Sequence, residues 1–207
     1  MNRTPDLAWL RARTDPRAGA LYALLDCARE PRLHAWIRAE TAPHQCLFSG
    51  VQALRLERYG PWCVELHVDS PLLGRWLDQG SGWMQHWGWM FQSTKSLPSV
   101  VRHLRRFLQV QAQGRPLYWR FYDPRVFCLT LPELNVGQQA EFFGDCIQRV
   151  FCFDHRHHRV VEAWQQSSLL ERALTGLRRV HVRLHEPQSL PLTPTAEPAL
   201  TGRHART

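Results

Sequence analysis

YWRFYDPRVF at residues 118–127, followed by QQAEFFGD at 138–145, contains the changes of periodicity that decide the fold. Leu117, Trp119 and Phe121 alternate with Tyr118, Arg120 and Tyr122, the two-residue period of a strand with one face in a core. At Asp123 and Pro124 the period changes. An Asp side chain caps the first free N–H groups of a helix, and Pro suits the first helical position because the N–H it lacks has no intrahelical partner there. A strand is therefore expected to turn directly into a helix. Arg120 and Arg125 flank Asp123, a pattern suited to locking the turn through bidentate hydrogen bonds; the competing reading gives these charges a chemical role. Residues 136–143 then read as a short helix stopped by Gly144.

Outward from this stretch, residues 20–26 are almost wholly apolar and read as a strand interior to a sheet, ending at Asp26. Pro31 is expected to open a helix with Leu33, Trp36 and Ile37 on one stripe. Residues 51–59 stay open between helix and strand. Trp62, Val64, Leu66 and Val68 alternate with Cys63, Glu65 and His67 as a half-buried strand, and Ser70-Pro71 reads as a helix start. Gln79 to Gly82 reads as a break. A strand over 86–92 places Trp87 and Trp89 on one face, either as a core layer or as a platform for a partner. Ser96 is expected to cap a helix with an apolar stripe of Leu97, Val100, Val101, Leu104, Phe107 and Leu108 and a basic opposite face. Residues 147–153 and 159–164 read as a hairpin across HRHH, and Ser167 or Ser168 as the cap of a last helix.

Five pieces, LYALLDCA at 21–28, GPWCVEL at 60–66, WGWMFQS at 87–93, VVRHLRRFLQV at 100–110 and the 118–145 stretch, stand in the order seen in the bacterial type VI secretion effector chaperones, or Tap/Tec-type adaptors, which this chain resembles. One departure is Asp145, where that family more often has Pro after FFG. The resemblance implies a cytosolic, non-catalytic protein that binds a toxin effector and helps load it onto a VgrG-type spike protein. It implies two protein-facing surfaces, with Trp87, Trp89, Tyr118, Arg120, Tyr122, Arg125, Arg172, Arg178 and Arg179 as candidate contacts. Asp26, Asp123, Pro124, Phe143 and Gly144 are the residues of the signature assigned to folding.

The 207 residues suit one domain, of class α/β or α+β: a mixed β-sheet flanked by helices, then a C-terminal hairpin and helix. The expected organisation is an N-terminal arm at 1–17, the chaperone domain at 18–165, a helical extension at 166–185 and a Pro-rich, disordered tail at 186–207. A net charge of +8 predicts acidic partners without naming them. Charges within residues 1–17 exclude the apolar core of a secretory signal there, and no window has the uncharged run of a membrane span, so a cytoplasmic protein without membrane contact is expected. The six cysteines read as reduced, buried hydrophobes.

Catalytic and cofactor chemistry finds little footing. Cys146, Cys152, His155, His157 and His158 lack the compact paired spacing of a zinc site, so no metal is expected. Cys63 and His67 share a strand face but no nucleophile signature surrounds them. Asp26, Asp69 and Asp123 each have capping or turn duties available. No GxGxxG, Walker or GxSxG pattern occurs, so no cofactor is expected. A basic single-stranded nucleic-acid binder and a cryptic enzyme remain as alternatives; scattered Arg residues argue against the first.

Overall fold

Residues 22–26 are all buried, and an unbroken apolar run of this kind belongs to a strand covered on both faces. The structure, a computed structural model, describes residues 4–78, 81–112, 114–166 and 179–185. In it β1 (Ala20–Asp26) lies inside a seven-stranded sheet, between β3 (Pro61–Leu66) and β4 (Gly88–Ser93). β2 (His44–Cys46) borders β3. Beyond β4 the sheet continues through β7 (Arg149–Asp154), β8 (Arg159–Gln166) and β9 (Arg179–His185), while β5 (Gln109–Ala112) and β6 (Arg115–Tyr118) pair apart as a two-stranded hairpin.

Helices cover both faces, as the fold class required. Tyr22 stacks on Phe91 and Trp89 on Phe127, so that face of the sheet receives α7 (Pro124–Thr130) and α8 (Val136–Phe143). Met90 and its cross-strand partner Phe151 point the other way, where Trp9 of α1 (Leu7–Arg13) meets Phe151 edge-on at 5.8 Å. α2 (Leu33–Ala39), α3 (Gly50–Leu56), α4 (Pro71–Leu77), α5 (Ser81–Met84) and α6 (Leu97–Arg105) fill the connections. Buried carboxylates serve these junctions: Glu40 accepts from the Leu72 amide at 2.6 Å and the Ser70 hydroxyl at 3.0 Å, satisfying the free N-terminus of α4.

Several expectations are corrected. The described strand pairings are all antiparallel, not mixed. The helical crossover from β3 to β4 does yield parallel strands, but β1 sits between them and runs opposite to both. The strand expected through Tyr122 ends at Tyr118, and Leu117 is exposed because β6 pairs with β5 and stands off the main sheet. Residues 119–122 instead fold into a turn that buries both Phe121 and Tyr122. β3 stops at Leu66 and is buried on both faces except at Glu65, leaving Val68 exposed. Ser96 makes no capping bond to the α6 backbone. α2 starts at Leu33 rather than Pro31, and Gly82, expected in a break, lies within α5.

At the ends of the chain, residues 7–13, expected in an arm, form a helix with Trp9 and Leu10 in the core. Residues 179–185, expected as helix, are strand β9, held by a buried relay: Arg149 to Glu162 at 2.8 Å and His185 to Glu162 at 2.6 Å. The expected last helix at 169–177 and the tail from 186 lie outside the described residues. Among the described residues no helix is long and apolar enough to cross a membrane.

β1 and β4 approach closely at Gly88. A Cβ on Gly88 would sit 1.8 Å from the Leu24 carbonyl oxygen, which belongs to backbone and has nowhere to go. Gly88→Ala is expected to destabilise the fold by about 3 kcal/mol or more, read as a lowered midpoint in urea unfolding.

Candidate partner-binding site

The corner at Asp123 and Pro124 starts a helix as the sequence implies, but it follows a turn over residues 119–122 and not a strand. Asp123 accepts the Arg125 amide at 3.0 Å and caps α7, with Pro124 at its first position. The Arg125 guanidinium grips the same carboxylate with two bonds, at 2.9 and 2.6 Å. Arg120 adds the long-range link, reaching Asp123 at 3.4 Å and, from 94 positions along the chain, Asp26 at the end of β1 at 2.9 Å. Both aspartates are 1% exposed while the two arginine side chains remain nearly half open to solvent.

The two carboxyls respond differently. Burial raises the pKa of Asp26, and hydrogen bonds from the Ala28 amide and Arg120 only partly offset it. Burial also acts on Asp123, but its bonds to Arg125 and the charges of both arginines hold it below the ordinary carboxylate value. Tyr118 and Tyr122 flank Arg120 in sequence, and burial raises both their pKa values.

Of the candidate contacts, Trp87 and Trp89 are corrected to core residues, 2% and 0% exposed. They enter different clusters: Trp87 meets Trp36 and Trp76, whereas Trp89 stacks on Phe127 at 4.6 Å and donates to the Phe121 carbonyl at 2.8 Å. Tyr122 is also buried. Tyr118, Arg120, Arg125 and Arg179 reach the surface; Arg172 and Arg178 lie outside the described residues. Phe143 is buried, and Gly144 ends α8 with φ of +52°, where any larger side chain is strained. Its neighbour Phe142, passed over in the sequence, packs against Trp89, Phe107, Trp119, Phe121 and Phe127. Only the doubled aromatic of FFG hinted at it.

Two concavities adjoin this corner. One is an open groove of about 490 Å³ floored by Phe107, Val110, Leu117, Trp119, Leu134 and Phe142, with the Arg106–Glu141 pair at its edge. The other, of about 500 Å³, brings Arg125 and Cys128 to the tip of the β7–β8 hairpin. There the rings of His86 and His155 lie 3.5 Å apart, and His157 bonds to Asp154 at 2.7 Å. Cys146 and Cys152 are buried, the Sγ of Cys152 lying 3.2 Å from that of Cys128. No three His, Cys, Asp or Glu side chains group as metal ligands among the described residues. Burial pushes the Cys63 thiol well up, the opposite of what an attacking thiolate needs, and His67 falls past the end of its strand.

The motif pieces that build the corner and the central strands fall within a match, over residues 21–141, to a family described as Domain of unknown function (DUF4123); the last piece runs past it, with Phe142 to Asp145 beyond. The chain belongs to this family. No curated protein and no solved structure matches it. The DUF4123 span runs from β1 into α8 and so contains Asp26, Arg120, Asp123 and the residues lining the groove except Phe142, whereas β7 to β9, which extend the sheet, lie beyond it.

Two predictions follow from this geometry. Arg120→Ala leaves Asp26 buried without its cation and is expected to cost about 2 kcal/mol, a buried-pair penalty reduced because the guanidinium is half solvated. Arg125→Ala, which leaves Arg120 on Asp123, is expected to cost less in the same urea titration. Burial and the neighbouring His86 depress His155 to a pKa of about 4. A histidine depressed in the folded state binds more protons when unfolded, so stability should fall as pH drops from about 6.5 towards 4, and His155→Asn should flatten that slope.

Proposed function

We propose that the protein is a non-catalytic cytosolic adaptor that holds a toxin effector and delivers it to the spike of a type VI secretion apparatus. Membership of the DUF4123 family, associated with such adaptors, supports this reading. The observation that carries it is how the matched residues are spent. The charges of the signature pair with one another, and the aromatics around Phe142 make core, while the same elements leave an open apolar groove at the surface. Apolar surface beside polar residues and an exposed ion pair is suited to a partner that must be held and later released.

Leu117 lines the groove yet is 54% exposed, so its replacement tests binding with little effect on folding. The adaptor reading expects effector and spike genes beside the gene for this chain, and the chain, co-expressed with their products, is expected to co-elute with both in size-exclusion chromatography. Leu117→Asp should weaken one of the two complexes by about tenfold or more. Elution of the wild-type chain apart from both proteins would sink the adaptor reading.

A further inference from the structure

Helix α3 buries none of its residues. Short helices in water depend on an apolar stripe packed against a core, and isolated ones of this length are not stable. α3 instead turns Val51 (66% exposed), Leu54 (83%) and Leu56 outward, with Tyr59 exposed just beyond. Its ends, by contrast, are pinned. Before it, the Arg105 guanidinium donates to the carbonyls of Leu47, Cys46 and Phe48 at 2.8, 2.9 and 3.3 Å. After it, the Trp62 indole donates to the Glu57 carbonyl at 2.7 Å, and a Cβ on Gly60 would come within 2.6 Å of the Phe48 ring. A short helix fixed at both ends therefore carries large apolar side chains into solvent.

The charges around it are mostly of one sign. Arg55 lies on α3 and Arg58 in the turn that follows. His34 of α2 meets the Trp62 ring at 5.5 Å, which brings that helix, with Arg38, beside the turn; burial, then the charges of Arg58 and Arg38, depress its pKa, with Glu57 opposing. A two-fold contact between copies would set this basic rim against itself in a chain already carrying +8. Like-charge juxtaposition disfavours that pairing, whereas a carboxylate-edged surface is attracted.

We propose that α3 is a docking surface for a second partner protein, one whose contact patch is apolar and edged with Asp or Glu. The inference rests on the adaptor reading, since a protein that joins two others needs two faces. The groove supplies one and α3 the other. They meet at the end of α6, where Arg105 holds the entry to α3 and the next residue, Arg106, lines the groove.

Calorimetric titration of the full chain against the purified effector and spike, at low and high salt, tests this. Leu54→Asp and Arg58→Glu are expected to weaken one partner about tenfold or more and leave the other unchanged, with wild-type affinity for the affected partner falling as salt rises. Leu117→Asp should show the reverse choice. If Leu54→Asp fails to fold by circular dichroism, Arg58→Glu decides alone. Wild-type affinity of the α3 variants for both proteins overturns the surface and leaves the adaptor reading standing; loss of the same partner by all three variants shows one interface and overturns the second face. A wild-type chain that binds neither protein overturns both readings. A wild-type dimer in sedimentation that Leu54→Asp dissolves assigns the face to a second copy and overturns the proposal.

Discussion

One guanidinium joins the two halves of the matched domain. Arg120 bonds to Asp26 at the end of the interior strand and to Asp123 at the start of α7, so the first strand and the last structural corner of the motif are tied across most of the domain's length. The arrangement is costly to assemble, because two carboxylates are taken out of water. It is tolerated because the remaining acceptors are satisfied locally: Ala28 donates to Asp26, and Arg125 donates to Asp123 through both backbone and side chain. Once made, the link sets the register of everything that α7 covers. Trp89 and Phe127 stack in the space beneath it, and the Trp89 indole closes the remaining gap by donating to Phe121.

This explains what was legible in the sequence and what was not. Asp123-Pro124 was readable as a helix start because capping is a local property, decided within three residues. The crowding of Arg120, Asp123 and Arg125 was equally local. Asp26 as their partner was not, since 94 positions separate it from Arg120 and no periodicity encodes that distance. The same division runs through the sheet. β1 and the β7–β8 hairpin announce themselves by composition and turn chemistry, whereas β9 is a strand because His185 and Glu162 meet in three dimensions. Alternation misled at residues 119–122, where Phe121 and Tyr122 are buried together in a turn rather than on opposite faces of a strand.

The candidate site divides along similar lines. The tryptophans at 87 and 89 offered two readings, core or platform, and burial decides for core. Aromatic density in a sequence reports a large apolar payload, and the payload goes inside whenever a sheet offers two covered faces. Surfaces available to a partner are instead carried by residues with little in their local pattern to mark them: Leu117 on a hairpin held off the main sheet, and Val51 and Leu54 on a helix that the sequence left unresolved. Their common feature is topological. Each belongs to a segment fastened at its ends whose larger side chains are not needed by the core, Ala53 being the residue of α3 that packs against it.

Exposed apolar side chains are ordinarily an aggregation hazard, and the charge of this chain bears on why they are tolerable here. A net charge of +8 repels like copies at the distances where apolar patches would begin to meet, and the arginines around α3 concentrate that repulsion at its face, whereas Arg106 at the groove is paired with Glu141. The same field favours any partner edged with carboxylates. Stickiness and charge therefore act as one device: the first provides short-range adhesion, and the second selects which molecules come close enough to use it. A chain organised this way keeps its ion-paired aspartates for internal order and turns an excess of positive charge outward, where it discriminates between itself and others.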